Sequence, residues 1–116
     1  MKKILLVDDD EDILHVVQLL LTSRGFDVQT HSTGLNVPDI VTQYQPHLIL
    51  LDIRLPGKSG TEVCKELKQI HTNLPIILFS AHAEQGKAFA LCDADGFIQK
   101  PFDIKNLVET IKSHLN

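Results

Sequence analysis

The chain lacks any apolar stretch long enough to cross a bilayer. Runs such as Leu48-Ile49-Leu50-Leu51 stop at four residues, against the roughly 20 that a spanning helix needs. It lacks an export signal as well. Met1-Lys2-Lys3-Ile4-Leu5-Leu6-Val7 opens like one, but Asp8, Asp9 and Asp10 end the apolar stretch too early. Cysteine is scarce: only Cys64 and Cys92 are present, and without an export signal both read as reduced thiols of a cytoplasmic protein. Neither cysteine, nor any histidine, falls at metal-ligand spacing, which argues against zinc. There is no basic stripe. Lys plus Arg number 11 and Asp plus Glu 15, a net charge of −4, which argues against a phosphate-backbone binder. Linkers, repeats and low-complexity tracts are missing too, so residues 1–116 read as one domain. With 43% apolar residues, a chain of this size buries roughly two-thirds of its unfolded surface and needs no metal or disulfide to fold.

What is present is one rhythm, short apolar runs alternating with amphipathic stretches. Residues 4–7 are apolar without alternation, as in a strand buried on both faces. Ile13, Leu14, Val17, Leu20 and Leu21 then recur at helical spacing, and Gly25 ends that helix. Residues 26–31 form a weaker second strand. Pro38 falls in the first turn of a second helix with Ile40, Val41 and Tyr44 facing inward. Residues 48–51 are a third strand ending in Asp52. A turn-rich segment, Pro56-Gly57-Lys58-Ser59-Gly60, follows. Ser59 and Glu62 form a capping box for a helix whose inward residues are Val63, Cys64, Leu67 and Ile70. Residues 76–79 are a fourth strand, 83–91 a short fourth helix and 97–99 a fifth strand. Asp103 caps a last helix that faces inward through Ile104, Leu107, Val108, Ile111 and Leu115, with Phe102 stapled against Leu107.

Five strand–helix units in this length imply an α/β fold, a doubly wound parallel sheet with about five helices on its two faces. Such sheets bind ligands beyond the carboxyl ends of their strands. The first strand ends in Asp8-Asp9-Asp10, the third in Asp52, the fourth in Ser80, and the fifth leads into Lys100-Pro101. Every strand end except the second thus delivers a polar group to one edge. Carboxylates gathered within ~4 Å repel by roughly 4 kcal/mol per pair at an effective dielectric near 20. That repulsion calls for a cation, and hard oxygen ligands suit Mg²⁺, with Mn²⁺ as its substitute. A carboxylate beside Mg²⁺ is also equipment for phosphoryl transfer, with Asp52 as nucleophile, Lys100 as a second positive charge and Ser80 as a hydroxyl donor.

The sequence resembles the receiver domain of two-component response regulators, a chemotaxis-regulator-like superfamily. The resemblance covers essentially the whole chain. Val7-Asp8-Asp9 matches the acidic pair, and Leu50-Leu51-Asp52-Ile53-Arg54-Leu55-Pro56-Gly57 the phosphoacceptor segment, continued by Ser59-Gly60. Ser80-Ala81 matches the hydroxyl position, and Ala94-Asp95-Gly96-Phe97-Ile98-Gln99-Lys100-Pro101-Phe102 the closing motif. The resemblance implies a flavodoxin-like sheet in the order 2-1-3-4-5. It implies that Asp52 accepts a phosphoryl group from a histidine kinase or histidine phosphotransfer protein. Asp8, Asp9, Asp52 and the backbone carbonyl of Arg54 would then hold Mg²⁺, and Lys100 and Ser80 would contact phosphoryl oxygens. A cis Lys100–Pro101 peptide is also implied. So is a switch in which Ser80 moves toward the phosphoryl group and Phe97 turns inward behind it, altering a surface made by the fourth helix, fifth strand and last helix. Arg54 and His82, two residues beyond Asp52 and Ser80, would tune phosphoryl hydrolysis. The implied protein is cytoplasmic and a monomer or weak homodimer. It works through a downstream protein target without touching nucleic acid or membrane, and it modifies only itself.

The sequence departs from the family pattern in three places. The stretch from Ser80 to Lys100 is a couple of residues short, Asp93 stands where glycine is common, and residues 35–44 are atypical. Asp tolerates a left-handed backbone better than most residues, so the turn at Asp93 can survive. His15, His31, His47, His71 and His114 read as surface or helix residues. A P-loop reading of Gly57-Lys58-Ser59 fails because its first glycine would be Asp52. A haloacid-dehalogenase-like phosphatase would want an aspartate where Arg54 stands, and a flavodoxin-like electron carrier a Ser/Thr-rich loop after the first strand. Two readings stay beside a stand-alone receiver. One is a receiver cut from a larger regulator or hybrid kinase, and the other a small Mg²⁺-dependent phosphatase-like enzyme acting on an external phosphomonoester.

Overall fold

The computed structural model describes residues 1–80 and 92–115. Five strands, β1 (Lys3–Val7), β2 (Asp27–His31), β3 (Leu48–Asp52), β4 (Ile76–Ser80) and β5 (Gly96–Gln99), pair in parallel in the order β2-β1-β3-β4-β5. The helices among the described residues are α1 (Glu11–Ser23), α2 (Val37–Tyr44), α3 (Gly60–Ile70) and α4 (Ile104–Ser113). The helix expected over residues 83–91 lies outside the described residues. Every strand that follows a helix returns in the same direction, so all five carboxyl ends share one edge. No helix of the described residues is long and apolar enough to cross a membrane.

Period-2 alternation in the strands splits the core into two layers. Ile4, Leu6, Leu48, Leu50, Ile77 and Phe79 face α1 and α4, meeting Leu14, Val17 and Leu21 on one and Leu107, Val108 and Ile111 on the other. Leu5, Val7, Ile49, Leu51, Ile76 and Leu78 face α2 and α3, meeting Val37, Val41, Val63, Cys64 and Leu67. β1, β3 and β4 are covered on both faces, which is why they read as unbroken apolar runs. Cys64 and Cys92 are both buried and both free, and the Cys64 thiol donates to the Cys92 carbonyl oxygen at 3.2 Å. At the amino edge of the sheet, Lys2, His47, Asn73 and His114 line a small polar cavity.

Local signals set the helix ends. Asp10 caps α1 by accepting from the amides of Asp12 and Ile13, and Asp103 caps α4 by accepting from Asn106. Ser59 Oγ accepts from the Glu62 amide at 3.2 Å and donates to the Glu62 carboxylate at 3.1 Å, so the box closes through side chains. Pro38 sits in the first turn of α2. Asp93 has φ +58°, the left-handed conformation that a glycine would otherwise supply. Three expectations change. Ile70, the last residue of α3, is 57% exposed. The buried residues of α2 are Val37 and Val41, with Ile40 and Tyr44 only half-buried. Residue His31 gives the second strand a polar group at the carboxyl edge after all.

Leu50 lies in the central strand with no exposure, whereas Leu19 on α1 is 59% exposed. Leu50→Ala is expected to cost about 3 kcal/mol in urea unfolding, and Leu19→Ala under about 0.5 kcal/mol. Equal losses at the two positions would contradict the layering.

Candidate functional site

The site grows from the register of the three central strands. Val7 pairs with Leu51, and Asp52 with Phe79. Asp8, just past β1, therefore lies beside Asp52 at the end of β3. β5 continues into Lys100, whose amide donates to the Ser80 carbonyl oxygen at 2.8 Å, and the Lys100–Pro101 peptide is cis. Lys100 reaches back across β4. Its Nζ lies 2.7 Å from Asp8 Oδ2 and 3.5 Å from Asp52 Oδ2. The ammonium also lies 4.5 Å from the centre of the Phe79 ring, an attractive placement over the electron-rich face. Phe79, fully buried in the core, is a part of the site that its sequence position did not announce.

The three neighbouring aspartates separate into different tasks. Asp8 is fully buried, and its Oδ1 accepts from the Asp10 amide at 2.9 Å. Asp9 is exposed. Asp10 is the cap of α1. One oxygen from each of Asp8, Asp9 and Asp52 lies within 4.8 Å of the others. The carboxylates of Asp8, Asp9, Asp10 and Asp52 outnumber the Lys100 and Arg54 cations around the cavity, and the clustered donors are all hard oxygens, so the residues fit Mg²⁺ or Mn²⁺. They line a cavity of about 280 Å³ with Asp10, Ile13, Arg54, Ser80 and Lys100. Ser80 is 1% exposed, and Arg54 is exposed at the rim.

Asp52 has its two oxygens in different surroundings. Oδ1 accepts from the Ile53 amide at 2.8 Å, which leaves Oδ2 toward Lys100. Gly60 brings the start of α3 against this strand end. Its amide donates to the Ile53 carbonyl oxygen at 2.7 Å, and a Cβ at Gly60 would overlap the Asp52 carbonyl. Phe97 is half-buried on the α3 side of the sheet, opposite Leu78. His82 lies outside the described residues. The other expected site residues, Asp8, Asp9, Asp52, Arg54, Ser80 and Lys100, come together at one rim.

Burial pushes the Asp52 carboxyl up from 3.8 to about 6, and Asp8 adds to the rise. The Lys100 charge and the amides of Ile53 and Arg54 pull the other way without offsetting it. An acid whose folded value is raised destabilises the fold once ionised. Well below pH 3.8 the group is protonated in both folded and unfolded chains; stability is lost as pH rises from 3.8 to about 6. With chelator present, Asp52→Asn should therefore raise stability at pH 8 by roughly 1–3 kcal/mol. The gain should shrink to under about 1 kcal/mol near pH 4. Urea titrations at the two pH values check this, and a variant less stable than wild type at pH 8 would contradict it.

Comparison with known proteins agrees with this geometry. Residues 4–112 match the family model of the response regulator receiver domain. A CheY-like response regulator receiver domain protein from Methanospirillum hungatei is 30% identical, with a TM-score of 0.93 over 99% of this chain and 94% of that one. The response regulator TrrA from Thermotoga maritima, solved in complex with Mg²⁺–BeF, is also 30% identical, with a TM-score of 0.92 over 99% of this chain and 100% of that one. NtrX from Brucella abortus matches at 30% identity and a TM-score of 0.88, over 97% of this chain but only 26% of its own. The chain belongs to the response regulator receiver domain family of two-component signalling.

Proposed function

We propose that residues 1–116 act as one phosphorylatable receiver in which Asp52 Oδ2 accepts a phosphoryl group from phosphohistidine on a histidine kinase or histidine phosphotransfer protein. Oδ2 attacks phosphorus, the P–N bond breaks, and its electron pair stays on the leaving imidazole, which takes up a proton. Oδ2 suits the attack because Oδ1 is held by the Ile53 amide. Asp8, Asp9, Asp52 and the Arg54 carbonyl would hold Mg²⁺, which when bound neutralises charge on the phosphoryl oxygens. Lys100 keeps Asp8 and Asp52 together before the reaction and pairs with a phosphoryl oxygen afterwards. Ser80 donates its hydroxyl to another. The observation that carries this reading is the Lys100 ammonium held 2.7 Å from Asp8 and 3.5 Å from Asp52, with Asp9 on the same rim.

An apolar groove of about 410 Å³ borders the site and shares Ile13 and Lys100 with it; Val16, Leu20, Pro101, Phe102 and Ile104 complete it. Its continuity with the acidic cavity supports docking of the phosphodonor there, with the histidine delivered over Asp52. Phosphorylation adds charge and three acceptor oxygens at Asp52. Ser80 then moves toward them and Phe97 turns inward, altering the surface offered to a downstream protein. Arg54, exposed at the rim, orients or shields the phosphoryl group, and His82 has the same tuning role. The protein acts in the cytoplasm as a monomer or weak homodimer.

Incubation with acetyl phosphate and Mg²⁺ should add the mass of one phosphoryl group to the intact chain. Asp52→Asn should add none, and chelator should abolish the gain. No added mass in the wild type, or undiminished addition in Asp52→Asn, would overturn the reading. Steady release of phosphate from a phosphomonoester without modification of the chain would favour an enzyme acting on an external substrate.

A further inference from the structure

The loop between β2 and α2, residues 32–36, runs into the stretch that departs from the family pattern, and it leans on the loop between β3 and α3. Leu35 is 50% exposed, ordinarily an unremarkable state for a surface apolar residue. Its side chain is nevertheless seated on Gly57: a Cβ there would come within 2.6 Å of Leu35 Cγ. The Gly34 amide donates to the Pro56 carbonyl oxygen at 3.0 Å. A Cβ on Gly34 would overlap the carbonyl of Lys58. Two adjacent residues of one loop thus meet three adjacent residues of the other, and at Gly34 and Gly57 a Cβ would collide with the facing loop.

The base of this loop is tied to the acidic site. The Asp8 amide donates to the His31 carbonyl oxygen at 3.1 Å. His31 Nε2 lies 2.7 Å from the Leu35 carbonyl oxygen, which can only accept, so the imidazole donates. Thr33 Oγ1 accepts from the Leu35 amide at 3.1 Å. Asp8, His31, Leu35 and Gly57 therefore form a continuous chain of contacts from one proposed ligand to the loop that carries another, the Arg54 carbonyl.

We propose that residues 32–36 act as a strut for the β3–α3 loop, and that Leu35 is a positioning residue for divalent-cation binding. The proposal rests on the reading that Asp8, Asp9, Asp52 and the Arg54 carbonyl hold Mg²⁺. A backbone carbonyl has no rotamer of its own, so its place is set by whatever braces its loop. Residues that brace ligands without touching the ion typically contribute 10- to 100-fold in affinity. Leu35 braces the loop at one remove, through Gly57, so the lower end of that range applies.

The test is a Mg²⁺ titration of the unphosphorylated chain, followed by calorimetry and by amide NMR shifts, with no phosphodonor present. Leu35→Ala should raise the dissociation constant about 10-fold and reduce the exchange protection of the Gly34 amide. Leu35→Met, which keeps the volume, should bind as wild type does. Ile70→Ala, which trims a comparably exposed apolar residue at the far end of α3, should change nothing. If Leu35→Ala lowers the melting temperature, the titration is run well below the transition and decides as before. An unchanged dissociation constant in Leu35→Ala overturns the strut and leaves the receiver reading intact. Mg²⁺ binding that follows the expected series in a chain that never takes up phosphoryl overturns the receiver reading alone. A wild-type chain that binds no Mg²⁺ overturns both.

Discussion

One ammonium group organises this end of the molecule. Lys100 approaches two carboxylates that belong to different strands, Asp8 after β1 and Asp52 at the end of β3. Both acids are buried, and without the cation their mutual repulsion would force water or a proton into the gap. The compensation is partial, because Asp52 is still held well above the ordinary carboxylate range. The carboxylates are kept together at a cost in stability, and a further positive charge in the cavity would lower that cost.

The fold makes the arrangement possible through the core beneath it. Phe79 is fully buried where β4 faces α4, its ring centre lies 6.1 Å from that of Phe102 at a tilt of 58°, and it lies under the Lys100 ammonium. The same ring therefore fills the hydrophobic layer and steadies the cation. Asp95 works at the opposite edge. Its carboxylate accepts from the Ile76 amide at 2.8 Å and pairs with Lys68, which ties β5 to the start of β4. That pairing sets the register that carries Lys100 to its place four residues beyond Gly96.

Much of this was legible in the letters, for a physical reason. Strands covered on both faces must be apolar throughout, so the first polar residue after each run marks where the chain emerges at the ligand edge; Asp8, Asp52 and Ser80 were read this way. Other features carry no such local mark. Three consecutive aspartates look alike in sequence, and only the start of α1 reveals that Asp10 is a cap. Asn36, at the start of α2, has a left-handed backbone and makes no side-chain cap, so Val37 was not recognised as the first inward residue. Ile70 keeps helical spacing but falls in the final turn of α3, past the last buried position. Phe79 beneath Lys100 and Leu35 against Gly57 join residues some twenty apart, and no local pattern encodes such a contact. Strand ends supplied the rim and its cation and phosphoryl chemistry, whereas the family resemblance supplied the phosphodonor and the switch.

Parallel pairing also sorts charge along the strand axis. At the carboxyl edge six acids, Asp8, Asp9, Asp10, Glu11, Asp12 and Asp52, outnumber the neighbouring Lys100 and Arg54, whereas the amino edge mixes Lys2 and Lys3 with Asp27 and Asp95. The carboxyl edge therefore carries a local excess of negative charge, in a chain whose net charge is −4. An approaching molecule with a positive face is turned toward the acidic rim before contact. That guidance reaches about one Debye length, roughly 8 Å in physiological salt, and weakens as ionic strength rises. The topology that gathers the aspartates thus also gives the protein a preferred direction of approach.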